Sequence, residues 1–214
     1  MGRRAILLIL VMAVGAAGIY LCWPRKADLR AFGPAEMARL ETAMWRDYYE
    51  KHYPRLFYHL YELSRTQFGF SPLDSFRIAL SAAQAAKTFQ PTRSRAEADA
   101  ALPQLVTYYR LLQPAAPAAF DVSEAARLEL DWWQARREKV GPRDYGKTVA
   151  EVAALTYGKS KDDPTMLESG IVRAEAMAFR DARSKSMTEA DWTNIEADLL
   201  RAYRLLKASV VKDG

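Results

Sequence analysis

Two glutamates, Glu41 and Glu129, are the residues whose type and position could carry chemistry. At about 100° per residue, Met37, Leu40, Met44, Trp45 and Tyr48 form one broad apolar face with Glu41 in its middle. Ala125, Leu128, Trp132 and Trp133 form a similar face around Glu129. An unpaired buried carboxylate is costly. Each glutamate should therefore accept hydrogen bonds from a Tyr, Trp or Arg across the fold and fix how its segments dock. Arg136, seven residues after Glu129, is a candidate same-face partner, although Tyr48 holds the matching place beside Glu41. The chemical alternative brings the two carboxylates together as a metal or proton site. Carboxylate-bridged di-metal bundles use Glu-x-x-His pairs, and the chain has none.

The histidines, His52 and His59, would share a face only if a helix ran straight through Pro54. Their aromatic surroundings, "YYEKHYPRLFYHLYEL", admit a flat cofactor such as haem, but such stripes are more often core or interface. No cofactor or metal is expected. From Trp45 to Tyr61 aromatic residues occur on almost every side of the wheel, and a helix of that kind needs cover all round. Trp45, Tyr48, Tyr49, Tyr53, Phe57, Tyr58 and Tyr61 are therefore the candidate interface residues, with burial within the domain as the alternative.

Other chemistries find no motif. There is no Gly-rich phosphate loop, no Gly-x-Ser-x-Gly elbow and no Cys-x-x-Cys pair, and Cys22 is the only cysteine. The net charge of +5 is spread among interleaved acidic and basic residues, which disfavours a nucleic-acid partner.

The elements that must position the glutamates are written twice. Residues 38–55, "ARLETAMWRDYYEKHYPR", and 126–143, "ARLELDWWQARREKVGPR", agree at nine of eighteen positions. Glu36 and Glu124 extend the match at the same offset of 88. Further on the offset is 92: Ser71-Pro72 answers Asp163-Pro164, each a cap with proline at the first helical position. Ser94-x-x-Glu97 and Ser186-x-x-Glu189 read as capping boxes, and Tyr109-Arg-Leu-Leu recurs at Tyr203. The composition, rich in Ala, Leu, Glu, Arg and Met, is helical, with no alternating β-branched run.

Each unit thus predicts a long first helix (34–53 or 121–140), a segment starting at Pro54 or Pro142, a third helix (72–89 or 164–184) and a fourth (95–113 or 187–210). Pro54 should kink or break the chain, more completely in the second unit where Gly141 precedes Pro142, and Pro103 should bend the fourth helix. Gly69 and Gly158 read as helix ends.

Met1-Gly-Arg-Arg is followed by nineteen uncharged residues, Ala5 to Trp23. As a helix this run reaches about 28 Å, close to the hydrocarbon thickness of a bilayer. Tyr20 and Trp23 would be interfacial anchors, with Pro24 ending the helix. The rival is a cleaved secretory signal with its cleavage site among Gly15, Ala16 and Ala17. Arg3 and Arg4 face Arg25, Lys26 and Arg30 across the run, so the orientation rests on the common arrangement with the folded part outside the cytoplasm.

The expected fold is all-α: an N-terminal transmembrane helix (1–24), a linker (25–33), and a compact bundle of two tandem related repeats (34–113 and 121–210) joined by a Pro/Ala linker (114–120). The expected function is a membrane-anchored interaction module, an accessory subunit or adaptor of another membrane protein or complex. The alternative is a ligand-, metal- or haem-binding protein, or an enzyme, with its site between the repeats.

Overall fold

A computed structural model describes residues 3–23 and 25–211, apart from the side chains of residues 3–5, 7, 8, 17, 22 and 185. Among them the chain is helical, without strands. α1 spans Arg3–Cys22. The first unit contains α2 (Pro34–Tyr49), α3 (Tyr53–Gln67), α4 (Pro72–Phe89), the short α5 (Arg95–Ala98) and α6 (Leu102–Leu112). The second contains α7 (Val122–Arg137), α8 (Pro142–Tyr157), α9 (Pro164–Arg183) and α10 (Glu189–Val211).

The long first helix expected in each unit ends earlier, and the prolines are not the cause. Lys51 and Lys139, 88 positions apart, both adopt left-handed backbone, with φ of 61° and 58°. The His52 amide donates back to the Asp47 carbonyl and the Val140 amide to the Ala135 carbonyl, both closing the same C-terminal turn. Pro54 and Pro142 then sit in the first turn of the next helix, where a missing amide costs nothing. Both units therefore break fully, with or without a glycine.

Ser71, Ser94, Asp121 and Asp163 each accept from backbone amides two or three residues on, so these caps follow their types. The box expected at Ser186 and Glu189 is displaced by two residues. Thr188 Oγ1 accepts from the Asp191 amide while Asp191 Oδ2 accepts from the Thr188 amide, and Ser186 bonds the Arg183 carbonyl instead. The offset of the fourth helices is thus 94, as the tyrosines already implied. Pro103 does more than bend its helix: a 3-10 turn at Asp99–Ala101 separates α5 from α6, whereas α10, without proline, is continuous.

The helices close a ring. α2 packs on α3, α3 on α4, α4 on α6, α6 on α7, α7 on α8, α8 on α9, α9 on α10 and α10 back on α2. The last helix of each unit thus rests on the first helix of the other. Small side chains at the crossings, such as Ala79, Ala126, Ala150, Ala174 and Ala202, are fully buried and let the helices approach. Closest are α8 and α9, where a Cβ on Gly170 would lie 2.3 Å from the Gly146 carbonyl oxygen. The matching positions in the first unit are Tyr58 and Ile78, so α3 and α4 have no such backbone contact to make. Leu29 and Phe32, in the segment before α2, are buried in the two main core clusters.

α1 touches α4. Ile6, Ile9, Leu10, Val11, Met12, Val14 and Ile19 on it are exposed, as are Tyr20 and Trp23. Among the described residues, no helix is long and apolar enough to cross a membrane, and five apolar side chains of this run fall outside the described set. Pro24, expected to end α1, also lies outside the described residues.

Candidate functional site between the units

Glu41, on the inner face of α2, is 3% exposed. Its Oε1 accepts from Arg173 of α9, from Nε at 2.9 Å and from Nη2, and its Oε2 accepts from the Tyr203 hydroxyl of α10. All of these bonds cross from the first unit to the second. Glu129, on α7, accepts from the Tyr109 hydroxyl of α6 at 2.7 Å and from Trp133 Nε1, one turn along its own helix, at 3.0 Å. The arrangement is an exchange, because each unit's first-helix glutamate takes the tyrosine from the last helix of the other. The donors to Glu41 all come from across the bundle, whereas of those to Glu129 only Tyr109 does, Trp133 being on the same helix. Arg136 goes elsewhere: it pairs with Asp181 of α9 at 3.0 Å and bonds the Tyr49 hydroxyl.

Burial raises the pKa of Tyr203 well above that of an ordinary tyrosine, and the charge of Glu41 adds to it. Tyr109 is raised by burial and by Glu129 in the same way. Both hydroxyls therefore stay protonated and donate. For Arg173, burial works against the charged form, but Glu41 and Tyr203 reverse it and the guanidinium is held above its usual value. Its charge is fixed.

Beside these groups lies a cavity of about 200 Å3. It is bounded by α6 through α10, with Leu29 and Phe68 at one side, and its polar lining comes from Glu129, Arg173, Ser169, Thr156 and the tyrosines at 108, 109, 157 and 203. Arg173 is one of its lining residues, and its side chain is 25% accessible. The Ser169 and Thr156 hydroxyls are satisfied by backbone carbonyls of α10 and α8, and the Tyr157 hydroxyl by that of Leu29. Glu129, Arg173 and Tyr108 line this space together with Leu112, Val149, Val152 and Met166. The arrangement can bind and orient a small molecule. Among the described residues, no group of three or more His, Cys, Asp or Glu side chains is placed to hold a metal ion.

The expected interface aromatics divide. Trp45 and Tyr49 are half-buried between the units, packed in the core that α2 shares with α9 and α10. Tyr48 is at the surface and accepts from Gln90. Phe57 and Tyr61 are half-buried, with Phe57 edge-on to Phe76 of α4, its ring centroid 5.5 Å away. Tyr53 and Tyr58 are 51% and 57% exposed, and Phe76 and Leu80 are exposed on the neighbouring α4.

Asp47 went unnoticed in the sequence and organises both histidines. It is 1% exposed, with His59 Nδ1 at 2.8 Å, Arg55 Nε at 3.4 Å and His52 Nδ1 at 3.8 Å. The signal was available, since Asp47 stands three and seven residues after Met44 and Leu40 on the apolar face. The histidines meet around this carboxylate through the turn at Lys51, and not along one straight helix. Arg173 was missed as well, because nothing local in α9 marks it as the partner of a glutamate 132 positions earlier.

No protein family, no characterised protein and no solved structure matches the chain.

Proposed function

We propose that the protein is a membrane-tethered helical binding protein that holds a small molecule between its two units. The reading is carried by the cavity of about 200 Å3 that Glu129, Arg173 and Tyr108 line together. A designed apolar cavity of about 150 Å3 takes up benzene, so a ligand somewhat larger than benzene fits here. The tether is the uncharged run Ala5 to Trp23, on which Ile6, Ile9, Leu10, Val11, Met12, Val14 and Ile19 are exposed although α1 touches α4. The folded part lies outside the cytoplasm in this reading, with Arg3 and Arg4 inside.

A second reading, docking of another membrane protein, is favoured by Tyr53, Tyr58, Phe76 and Leu80 on the outer face of α3 and α4. The anchor would raise the effective concentration of such a partner. Native mass spectrometry of the full chain, extracted from its own membranes in a mild detergent, tests both readings. A discrete small added mass supports the cavity reading, and a second polypeptide in fixed ratio supports docking. A bare chain refutes both. Retention in the pellet after an alkaline wash supports the tether, and release, or a mature chain starting near residue 18, refutes it.

A further inference from the structure

The two glutamates are related by the repeat, but their surroundings differ by one charge. Glu41 has Arg173, the tenth residue of α9. The tenth residue of α4, the related position, is Ser81. Ser81 donates to the Arg77 carbonyl at 2.9 Å, in its own helix. Glu129 accordingly has a tyrosine and a tryptophan as donors and no cation in bonding distance among the described residues. It is also the glutamate that lines the cavity. Counted with both carboxyls ionised, Glu41, Arg173 and Glu129 sum to −1. Two donors of Arg173 are engaged by Glu41, so an anionic ligand would meet a neutralised guanidinium and an unneutralised carboxylate.

The rest of the wall suits a cation too. Tyr108, Tyr157, Tyr203, Trp132 and Phe68 line the same space. Aromatic rings attract ammonium groups through their quadrupoles, and more strongly where water is excluded. Trp132 already carries a cation in this way, with Arg173 5.5 Å from its ring centroid.

From these contacts we infer that the cavity selects a small organic cation, an amine of about cyclohexylammonium size whose N–H groups meet Glu129 and whose carbon body lies among the aromatic rings. This inference rests on the ligand-binding reading above. The ammonium supplies the charge that Ser81 leaves missing.

The test is a titration of the full chain, in a non-ionic detergent, with three probes of one shape: cyclohexylammonium, cyclohexanol and cyclohexanecarboxylate. Binding is read by calorimetry and by the fluorescence of Trp132 and Trp133. The ammonium should bind roughly tenfold to a hundredfold more tightly than the alcohol, the range of a charge-assisted hydrogen bond, and the carboxylate should bind least. In Glu129→Gln, whose amide oxygen can still accept from Trp133 while its NH2 can donate to the Tyr109 hydroxyl, the advantage of ammonium over alcohol should vanish. If the alcohol or the carboxylate binds as well as the ammonium, or E129Q keeps the preference, the cation inference is overturned while the cavity reading stands. If none of the three binds, both are overturned. The probe series on the unaltered chain decides the matter even where E129Q does not fold.

Discussion

Arg173→Met is the perturbation with the largest consequence. Methionine approximates the length of the arginine stem but removes the guanidinium, leaving Glu41 at 3% exposure with the Tyr203 hydroxyl as its remaining side-chain donor among the described residues. Breaking a buried pair by removing one partner costs about 3–5 kcal/mol, because the other charge is stranded out of water. For a chain of this size that corresponds to a fall in Tm of roughly 6–20 °C. Glu41→Gln should cost a similar amount, since it strands Arg173. The double variant leaves no stranded charge, so its loss should fall short of the sum of the singles by more than about 1 kcal/mol. Glu129→Gln is the control. It weakens two hydrogen bonds but also removes a carboxylate without a cation, so its net cost should stay near 1 kcal/mol. The assay is urea unfolding followed by far-UV circular dichroism for all five proteins, with coincident near-UV transitions to justify a two-state treatment. If R173M costs less than about 1 kcal/mol, or if the two singles add, the pair does not hold the units together and the reasoning fails.

Gly170→Ala should cost about 3 kcal/mol or more, because its Cβ would lie 2.3 Å from the Gly146 oxygen and 2.9 Å from the Ala150 nitrogen and would force α8 from α9; a Tm within a few degrees of the parent would contradict that packing. Acid should weaken the fold through Asp163, whose carboxyl the Met166 amide, and then the Ser209 hydroxyl, hold below the usual value. A carboxyl depressed in the folded state stabilises it above about pH 4 and loses that contribution as pH falls through the lowered value. Asp163→Asn, still a competent cap, should therefore show a shallower decline of Tm between about pH 4 and 2 than the parent, and identical acid limbs would refute the assignment. Replacing Tyr53 and Tyr58 together by Ser should cost only about 1–2 kcal/mol, since each is more than half exposed and Phe76, which packs on Phe57, is left in place. If the docking reading holds, the same variant should lose a co-purifying polypeptide, and unchanged recovery of that polypeptide would refute it.

The sequence by itself determined that the chain is helical, that one phrase in it is written twice, and where α4 and α9 begin. These features are local. Composition sets helix propensity, a cap followed by proline marks a start within four residues, and a duplicated phrase repeats whatever it encodes. It also singled out Glu41 and Glu129, because a carboxylate in the middle of an apolar stripe needs a partner wherever the stripe is buried.

The sequence did not reveal where the first helices end. The left-handed turn falls on Lys51 and Lys139, a residue type that carries no such signal, and the prolines nearby drew attention that belonged to that turn. The capping box at Thr188 was hidden by the equally plausible pattern at Ser186. Only the tertiary structure decided the exchange of tyrosines between units, the gathering of His52 and His59 around Asp47, and the choice of Arg173 for Glu41 over Arg136 for Glu129. The two bonds to Glu41 span 162 and 132 positions and the others 20 or fewer, but all reach beyond a single helix, and the alignment of two helix faces is set by closure of the whole ring. The cavity belongs to the same class. It is lined by residues of α6 to α10 together with Leu29 and Phe68, so no single helix encodes it.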